Sequence, residues 1–319
     1  MIRPLLGLAA ALLAIAPQAV PAQPRGERPS VAITFDDLPM AGAGDVPLAE
    51  ARAANRAIVR TLRRERVPAI GFVTEQNVTA LGDAGRRLVR DWIAAGLELG
   101  NHGATHADIN RLDIAAIRTE IEAGERTIRP LAERYRRPLR FYRFAYNHVG
   151  ETEAKRVAIE AALAERGYRL AASTIDTSDY LFNRAYVRAA TDPVSRARII
   201  RAYLDHSRVQ IRYYQGLSRE VLGRAPPAIL LLHVNEINAA TLDELVALFR
   251  AEGFGFVSLA EAQADPAYAT SPAVATKFGP MWGYRWARAT GVRVDGSKEQ
   301  EPPAWIATYG ETGALPPSP

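Results

Sequence analysis

Seven short apolar runs separated by helical patterns constrain the fold of this chain more than any other feature. They fall at Val31–Phe35, Ala69–Val73, Leu97–Leu99, Phe141–Phe144, Arg169–Thr174, Ile229–Leu232 and Phe254–Leu259. Continuous apolar strands that alternate with helices build an α/β fold, a mainly parallel sheet covered by helices. Such a sheet closes as a barrel or stays open and doubly wound, and in either form its site lies at the C-terminal ends of the strands. The clearest helical pattern follows Asn110, where Ile114, Ile117, Ile121, Ile128 and Leu131 fall on one face. Pro138 ends the segment that follows.

The first residues stand apart from this alternation. Met1-Ile2-Arg3, the apolar stretch Leu5–Ala16 and the small residues Val20-Pro21-Ala22 read as a secretory signal peptide over residues 1–22. The stretch is too short to span a bilayer as a helix, so no stable membrane insertion is expected. The mature chain is expected to begin near Gln23 and to be secreted or periplasmic. The remaining 297 residues suit one large domain, expected over 28–265, with no internal repeat. Residues 176–226, rich in Arg and Tyr and helical after Pro193, read as an insertion beside the site. Residues 266–319 hold Pro and Gly but also Trp282, Trp286 and Trp305, too aromatic for a disordered tail, and are expected to pack on the domain as a C-terminal extension.

Composition removes several classes of function. The chain has no Cys, so thiol chemistry and zinc-finger sites are excluded, and a metal must use His and carboxylate ligands. The net charge of +5 comes from scattered Arg, with Lys only at 155, 277 and 298. A nucleic-acid binder concentrates its basic residues on one stripe, so no nucleic-acid partner is expected.

Three strand ends carry the polar residues. Val31–Phe35 runs into Asp36 and Asp37, Leu97–Leu99 into His102 and His106, and Ile229–Leu232 into His233. Neighbouring strand residues point to opposite sides, so Asp36 and Asp37 are expected to take different jobs while the strand pattern persists. Residues four apart on a turn face the same way, which lets His102 and His106 reach one ion. Taken singly, the Asp pair also reads as a cap, the His pair as packing and His233 as a structural residue. Together they use three of the five His in the chain at the sheet edge where sites form. His148 reads as a loop residue that could touch a sugar, and His206 as a helix-surface residue. Trp282, Tyr284 and Trp286 either stack on sugar rings or, more in keeping with a terminal segment, seal it onto the domain.

In order along the chain, Thr34-Phe35-Asp36-Asp37, Asn101-His102-Gly103-Ala104-Thr105-His106, Arg143-Phe144-Ala145-Tyr146, Asp179-Tyr180 and Leu231-Leu232-His233 resemble the five motifs of the polysaccharide deacetylase family. This is carbohydrate esterase family four, with the NodB-like homology domain. The resemblance implies a distorted (β/α) barrel with Zn²⁺, or another divalent transition metal, on Asp37, His102 and His106. It implies Asp36 as general base toward the attacking water and Arg143 as the residue that orients it. The Tyr146 backbone N–H would stabilise the oxyanion, a contribution of roughly 3–4 kcal/mol for a well-aimed donor. His233 would be the general acid, with Asp179 keeping it protonated and Asp176 as the competing candidate. Leu231 and Tyr180 would line the substrate pocket. Leu38 stands where the family usually has Gly, Gly103 where it has Ser or Thr, Ala145 where it has Pro, and Tyr180 where it has Trp.

The expected activity is therefore metal-dependent removal of acetyl groups, N-acetyl first, from a glycan such as chitooligosaccharide or peptidoglycan. The alternatives are an O-acetyl xylan-type esterase and a non-catalytic carbohydrate-binding protein on the same fold. A phosphohydrolase would leave the His residues unexplained. Adjacent Asp residues also sit poorly with a glycosidase, whose carboxylates flank the bond about 5 to 9.5 Å apart.

Overall fold

The computed structural model describes residues 28–269 and 271–314. The expected leader, residues 1–22, lies outside the described residues. Among the described residues, eight parallel strands form one sheet: β1 (Ser30–Leu38), β2 (Ala69–Val73), β3 (Glu98–Asn101), β4 (Phe141–Tyr142), β5 (Arg169–Leu170), β6 (Ile175–Asp176), β7 (Ala228–His233) and β8 (Gly255–Phe256). Their order is β5-β4-β3-β2-β1-β7-β6, with β8 pairing the start of β1. Strands β5 and β6 are the two ends of that path, so the barrel is distorted and incompletely closed, a curled half-barrel. Each of the seven apolar runs holds a strand. The two-residue β6, pairing Ile175 with Leu230, is the strand that the alternation did not reveal.

Helices cover the sheet: α1 (Leu48–Glu65), α2 (Glu75–Ala80), α3 (Gly82–Ala94), α4 (Ile114–Ala123), α5 (Glu125–Tyr135), α6 (Glu153–Glu165), α7 (Asp179–Arg188), α8 (Pro193–Leu222), α9 (Glu236–Ala251), α10 (Leu259–Ala262), α11 (Trp282–Thr290) and α12 (Ala304–Thr312). Helix α1 buries Ala51, Ala54, Ile58 and Leu62, a stripe at spacings of three and four that faces the sheet. The long α8 starts on Pro193 behind Asp192, whose carboxylate accepts the Val194 and Ser195 amides, and stops at Gly223 with φ 71°. The single helix expected after Asn110 is two helices, α4 and α5, meeting at Gly124. The break divides the apolar face: Ile117 and Ile121 enter a small cluster with Tyr142, Phe144 and Leu163, whereas Ile128 joins the main core.

That core lies between the sheet and α1, α3, α8 and α9, and Met281, Trp282, Trp286 and Ala287 of the C-terminal residues belong to it. Trp92 donates to Asn55 Oδ1 at 2.8 Å and meets Phe35 edge to face at 5.6 Å. His206 lies inside rather than on a helix surface. It packs on Phe182 at 5.5 Å, and burial lowers its imidazolium to about 4, so it is neutral at physiological pH.

Leu230 sits fully buried on β7 at the centre of the sheet, against β1 and β6. Leu230→Ala removes packing that neighbouring strands cannot collapse to replace. It should lower stability by about 2–5 kcal/mol, read as a lower urea midpoint with unchanged slope.

Candidate active site

Parallel registry delivers the polar residues to one edge. Asp36 is the direct partner of His233 across β1 and β7, and Val73 pairs with Asn101 across β2 and β3. The strand ends therefore surround a cavity of about 410 Å³ lined by Asp36, Asp37, His102, His106, Tyr146, Asn147, Asp176, Tyr180, Leu231, His233, Gly279 and Met281. Alternation along β1 would have sent Asp36 and Asp37 to opposite faces. The pairing of β1 with β2 instead slips between Phe35 and Leu38, and Asp37 adopts φ 64°. This bulge turns both carboxylates into the cavity.

Asp37, His102 and His106 offer one carboxylate oxygen and two ring nitrogens, all within 4.8 Å of one another. Asp37 Oδ1 lies 3.8 Å from His102 Nε2 and 3.7 Å from His106 Nε2. Ligands about 2.0–2.2 Å from an ion at tetrahedral angles stand roughly 3.3–3.6 Å apart, so a small inward adjustment fits the group to a metal. The imidazoles are prepared for it. His102 Nδ1–H donates to the Arg143 carbonyl at 2.7 Å, which leaves the Nε2 lone pair facing Asp37. Burial is the larger effect on His106 and pulls its imidazolium below the ordinary histidine value despite Asp37, so the ring keeps a lone pair at neutral pH. Burial would raise the Asp37 carboxyl, but His102, His106, His233 and the Thr74 hydroxyl outweigh it and hold the carboxyl below its usual range. These three residues can hold a metal ion, with remaining positions facing the cavity.

The loop between the two imidazoles is built unusually. Gly103 has φ 90°, and a Cβ there would meet Tyr142 Oη at 2.8 Å, so the Ser or Thr of the family motif does not fit this backbone. Two side chains hold the loop, one local and one from α4. Asn101 Oδ1 accepts the Gly103 amide at 2.8 Å. The Glu120 carboxylate on α4 takes the Ala104 amide, the Thr105 amide and the Thr105 hydroxyl at 3.1, 2.9 and 2.8 Å.

Beside Asp37, His102 and His106, Asp36 Oδ1 accepts from buried Arg143 Nη1 at 2.8 Å, and the same nitrogen donates to Thr34 Oγ1 at 2.7 Å. Asp36 Oδ2 is turned toward His102, at 3.8 Å from Nε2. His233 Nδ1–H donates to Asp179 Oδ1 at 2.7 Å, and its backbone N–H donates to Asp179 Oδ2 at 2.8 Å. Asn235 and Asn238 complete the shell of the fully buried Asp179. Burial alone would lower the His233 imidazolium. The charge and hydrogen bond of Asp179, with smaller help from Asp37 and Asp36, push it up to about 10. Between the two candidates for this partner the geometry selects Asp179. Asp176 lines the cavity and accepts the Ser178 amide, and burial, with Asp179 nearby, pushes its carboxyl up to about 6.

Leu231 forms an apolar wall of the cavity, while exposed Tyr180 stands 6.4 Å from the His233 ring. Tyr146 has φ 57° and ψ 14°, and its exposed ring meets His106 edge to face at 5.1 Å. All ten residues singled out from the sequence thus converge, eight on the cavity and Arg143 and Asp179 directly behind it. His148 is drawn aside, with Nδ1 on Asp108 at 2.9 Å. Trp282 and Trp286 are buried in the core and Tyr284 bonds Glu299, so this cluster seals the terminal segment rather than offering a sugar platform. Sequence reasoning did not find Thr74, Glu120, Asn147, Gly279 and Met281. Thr74 directly follows an apolar run and Asn147 directly follows Tyr146, whereas Glu120, Gly279 and Met281 reach the site through tertiary contacts that carry no local pattern.

The polysaccharide deacetylase family model matches residues 23–171. A CE4 family pseudoenzyme from Bacillus anthracis shares the fold at a TM-score of 0.51 and 16% identity, over 75% of this chain and 66% of its own. A mutant of that pseudoenzyme with restored enzymatic activity gives a TM-score of 0.51 and 17% identity, over 75% of this chain and 68% of its own. No curated protein matches the sequence. Identities this low speak to the fold alone. The family-model match and the shared fold together make this chain similar to the polysaccharide deacetylases of carbohydrate esterase family four.

Proposed function

We propose that the protein is a metal-dependent hydrolase that removes N-acetyl groups from a polysaccharide or oligosaccharide such as chitooligosaccharide or peptidoglycan. One observation carries this reading: a carboxylate held by an arginine and an imidazole held by a carboxylate line, as neighbours on paired strands, the same cavity as Asp37, His102 and His106. A divalent transition ion such as zinc on those three ligands supplies polarisation of the acetyl carbonyl and a lowered pKa for water. The residues of the chain do the rest. Asp36, with Oδ1 fixed by Arg143, takes a proton from the attacking water on Oδ2. The Tyr146 amide stabilises the oxyanion that forms as the water oxygen bonds to the carbonyl carbon. His233, protonated through Asp179, gives a proton from Nε2 to the leaving nitrogen as the C–N bond breaks, releasing acetate and a free amine. Leu231 receives the acetyl methyl, and Tyr180 flanks the sugar at the mouth.

The same proposal takes residues 1–22 as an export leader and assigns the mature protein to the periplasm or the exterior, where such glycans lie. It treats 28–265 as the catalytic unit, with the helical insertion at about 176–226, and 266–319 as an extension on it. The O-acetyl esterase reading shares this site and differs in the leaving oxygen. The binding-protein reading loses ground because base, acid and all three metal-binding side chains are present.

Acetate release from chitooligosaccharide, a peptidoglycan digest and acetylxylan, with added zinc and with chelator, tests the proposal. Chelator-sensitive release is expected, greatest on an N-acetyl substrate; no release from any of them by the zinc-loaded protein would sink it. Asp36→Asn should retain metal and lose at least about 10²-fold in kcat, the low end of what a positioned base contributes. His106→Ala should fail to retain metal in equilibrium dialysis.

The pH profile offers a separate check. His233 is protonated at neutral pH because Asp179 overcomes burial, so the pair contributes stability that is fully present below about 6.5 and lost as pH rises through about 10. Asp179→Asn removes the raising influence and leaves burial. Its turnover at pH 7.5 should fall at least about tenfold, with the alkaline limb of kcat moving to lower pH, and an unmoved limb would remove His233 as the acid.

A further inference from the structure

Residues 276–286 lie outside the stretch matched by the family model, yet they form one wall of the cavity through Gly279 and Met281. They also grip the turn that carries the Tyr146 amide. Asn147 Nδ2 donates to the Gly279 and Pro280 carbonyls, each at 3.2 Å. Arg285 Nε donates to the Pro280 carbonyl at 2.9 Å, and Arg285 Nη2 donates to the Asn147 carbonyl at 2.7 Å. One guanidinium therefore ties the terminal segment and the turn together. A Cβ at Gly279 would lie 1.8 Å from the Tyr146 carbonyl oxygen, so the two backbones touch and no other residue fits there.

The turn needs such a grip. Tyr146 and Asn147 adopt φ 57° and 56° in succession, a left-handed conformation that Asn tolerates but that is costly for Tyr146, and such geometry persists only where its surroundings over-determine it. Ala145 stands where the family has Pro, so the turn lacks the stiffening of a ring immediately before it. Arg285 is itself placed at a cost. It is 1% exposed, its Nη1 has no partner, and among the described residues it forms no ion pair; Trp282 lies against its guanidinium at 4.9 Å. Burial lowers its pKa to about 10, which still leaves it charged at neutral pH. A buried cation that spends its donors on carbonyls of two separate segments acts as a tie between them.

We propose that Arg285, with Asn147, clamps the Tyr146–Asn147 turn in its left-handed conformation and is a positioning residue for the Tyr146 amide. Its effect on turnover rests on the function proposed above; the clamp itself does not.

Amide hydrogen exchange and steady-state kinetics on the zinc-loaded mature chain test both parts, using Arg285→Lys, Arg285→Met and Asn147→Ala. Expected is exchange at least tenfold faster over residues 145–149, with the 102–106 loop and zinc stoichiometry unchanged. On a substrate that the parent protein deacetylates, kcat should fall at least tenfold with KM within threefold, and Arg285→Lys should recover part of the loss. Exchange at 145–149 within twofold of the parent in the folded variants would overturn the clamp. Faster exchange with kcat unchanged would overturn the positioning role. Should the Arg285 variants fail to fold, Asn147→Ala, which removes two hydrogen bonds at the cavity rim, decides alone. A parent protein with no turnover on any acetylated glycan would refute the proposed function while the exchange result still judges the clamp.

Discussion

The buried guanidinium of Arg143 ties together the two halves of the site. Nη1 donates to Asp36 and Thr34 on β1, Nη2 donates to the Ala172 carbonyl beyond β5, and the guanidinium lies 4.5 Å from the Phe72 ring centre on β2. Its own carbonyl takes the Nδ1–H of His102. A single residue thus sets the direction of the candidate base and the tautomer of a candidate metal ligand. Such a pair is costly to bury and costlier to break. An arginine left without its carboxylate would be an uncompensated charge in the sheet, a loss of about 3–5 kcal/mol. Base geometry and folding are linked here, which is why the carboxylate cannot drift from its position without disturbing three strands.

The two carboxylates of β1 illustrate how a small backbone irregularity separates roles. Asp36 keeps strand registry beside His233, with Oδ1 on Arg143 and Oδ2 toward His102. Asp37 departs from it, with Thr74 donating to its Oδ1 at 3.1 Å and Asn77 to its carbonyl at 3.3 Å. Each carboxylate has its own cationic or hydrogen-bonding surroundings: Arg143 for one, the imidazoles and Thr74 for the other. A regular strand would have offered one carboxylate to the cavity and lost the second to the opposite face.

The fold was legible because its strands are uniformly apolar, a pattern that buried parallel strands require and few other elements share. The strand ends were legible for the same reason, since a polar residue directly after such a run has few places to go except the sheet edge. What escaped depends on distance in sequence. Strand β6 has two residues and no period to detect. The division of the helical stretch at Gly124 serves two apolar clusters, and periodicity registers only that its faces are apolar. His206 looked like a surface residue on a polar helix, but Phe182 from α7 covers it. Arg143 and Asp179 could be assigned partners only through the family resemblance, because nothing local links them to residues 107 and 54 positions away.

Departures from the family pattern are best understood as pairs of change and support. Gly103 removes a side chain from the loop between the imidazoles, and Asn101 and Glu120 supply the bonds that hold it. Ala145 removes a rigid ring before the Tyr146 turn, and a segment more than a hundred residues later lies against that turn. The Glu120 and Arg285 bonds reach these two backbones from other elements, while the Asn101 bond is local. The half-barrel tolerates such exchanges because its strand ends are fixed by the apolar sheet, and only the loops above them must be secured from elsewhere.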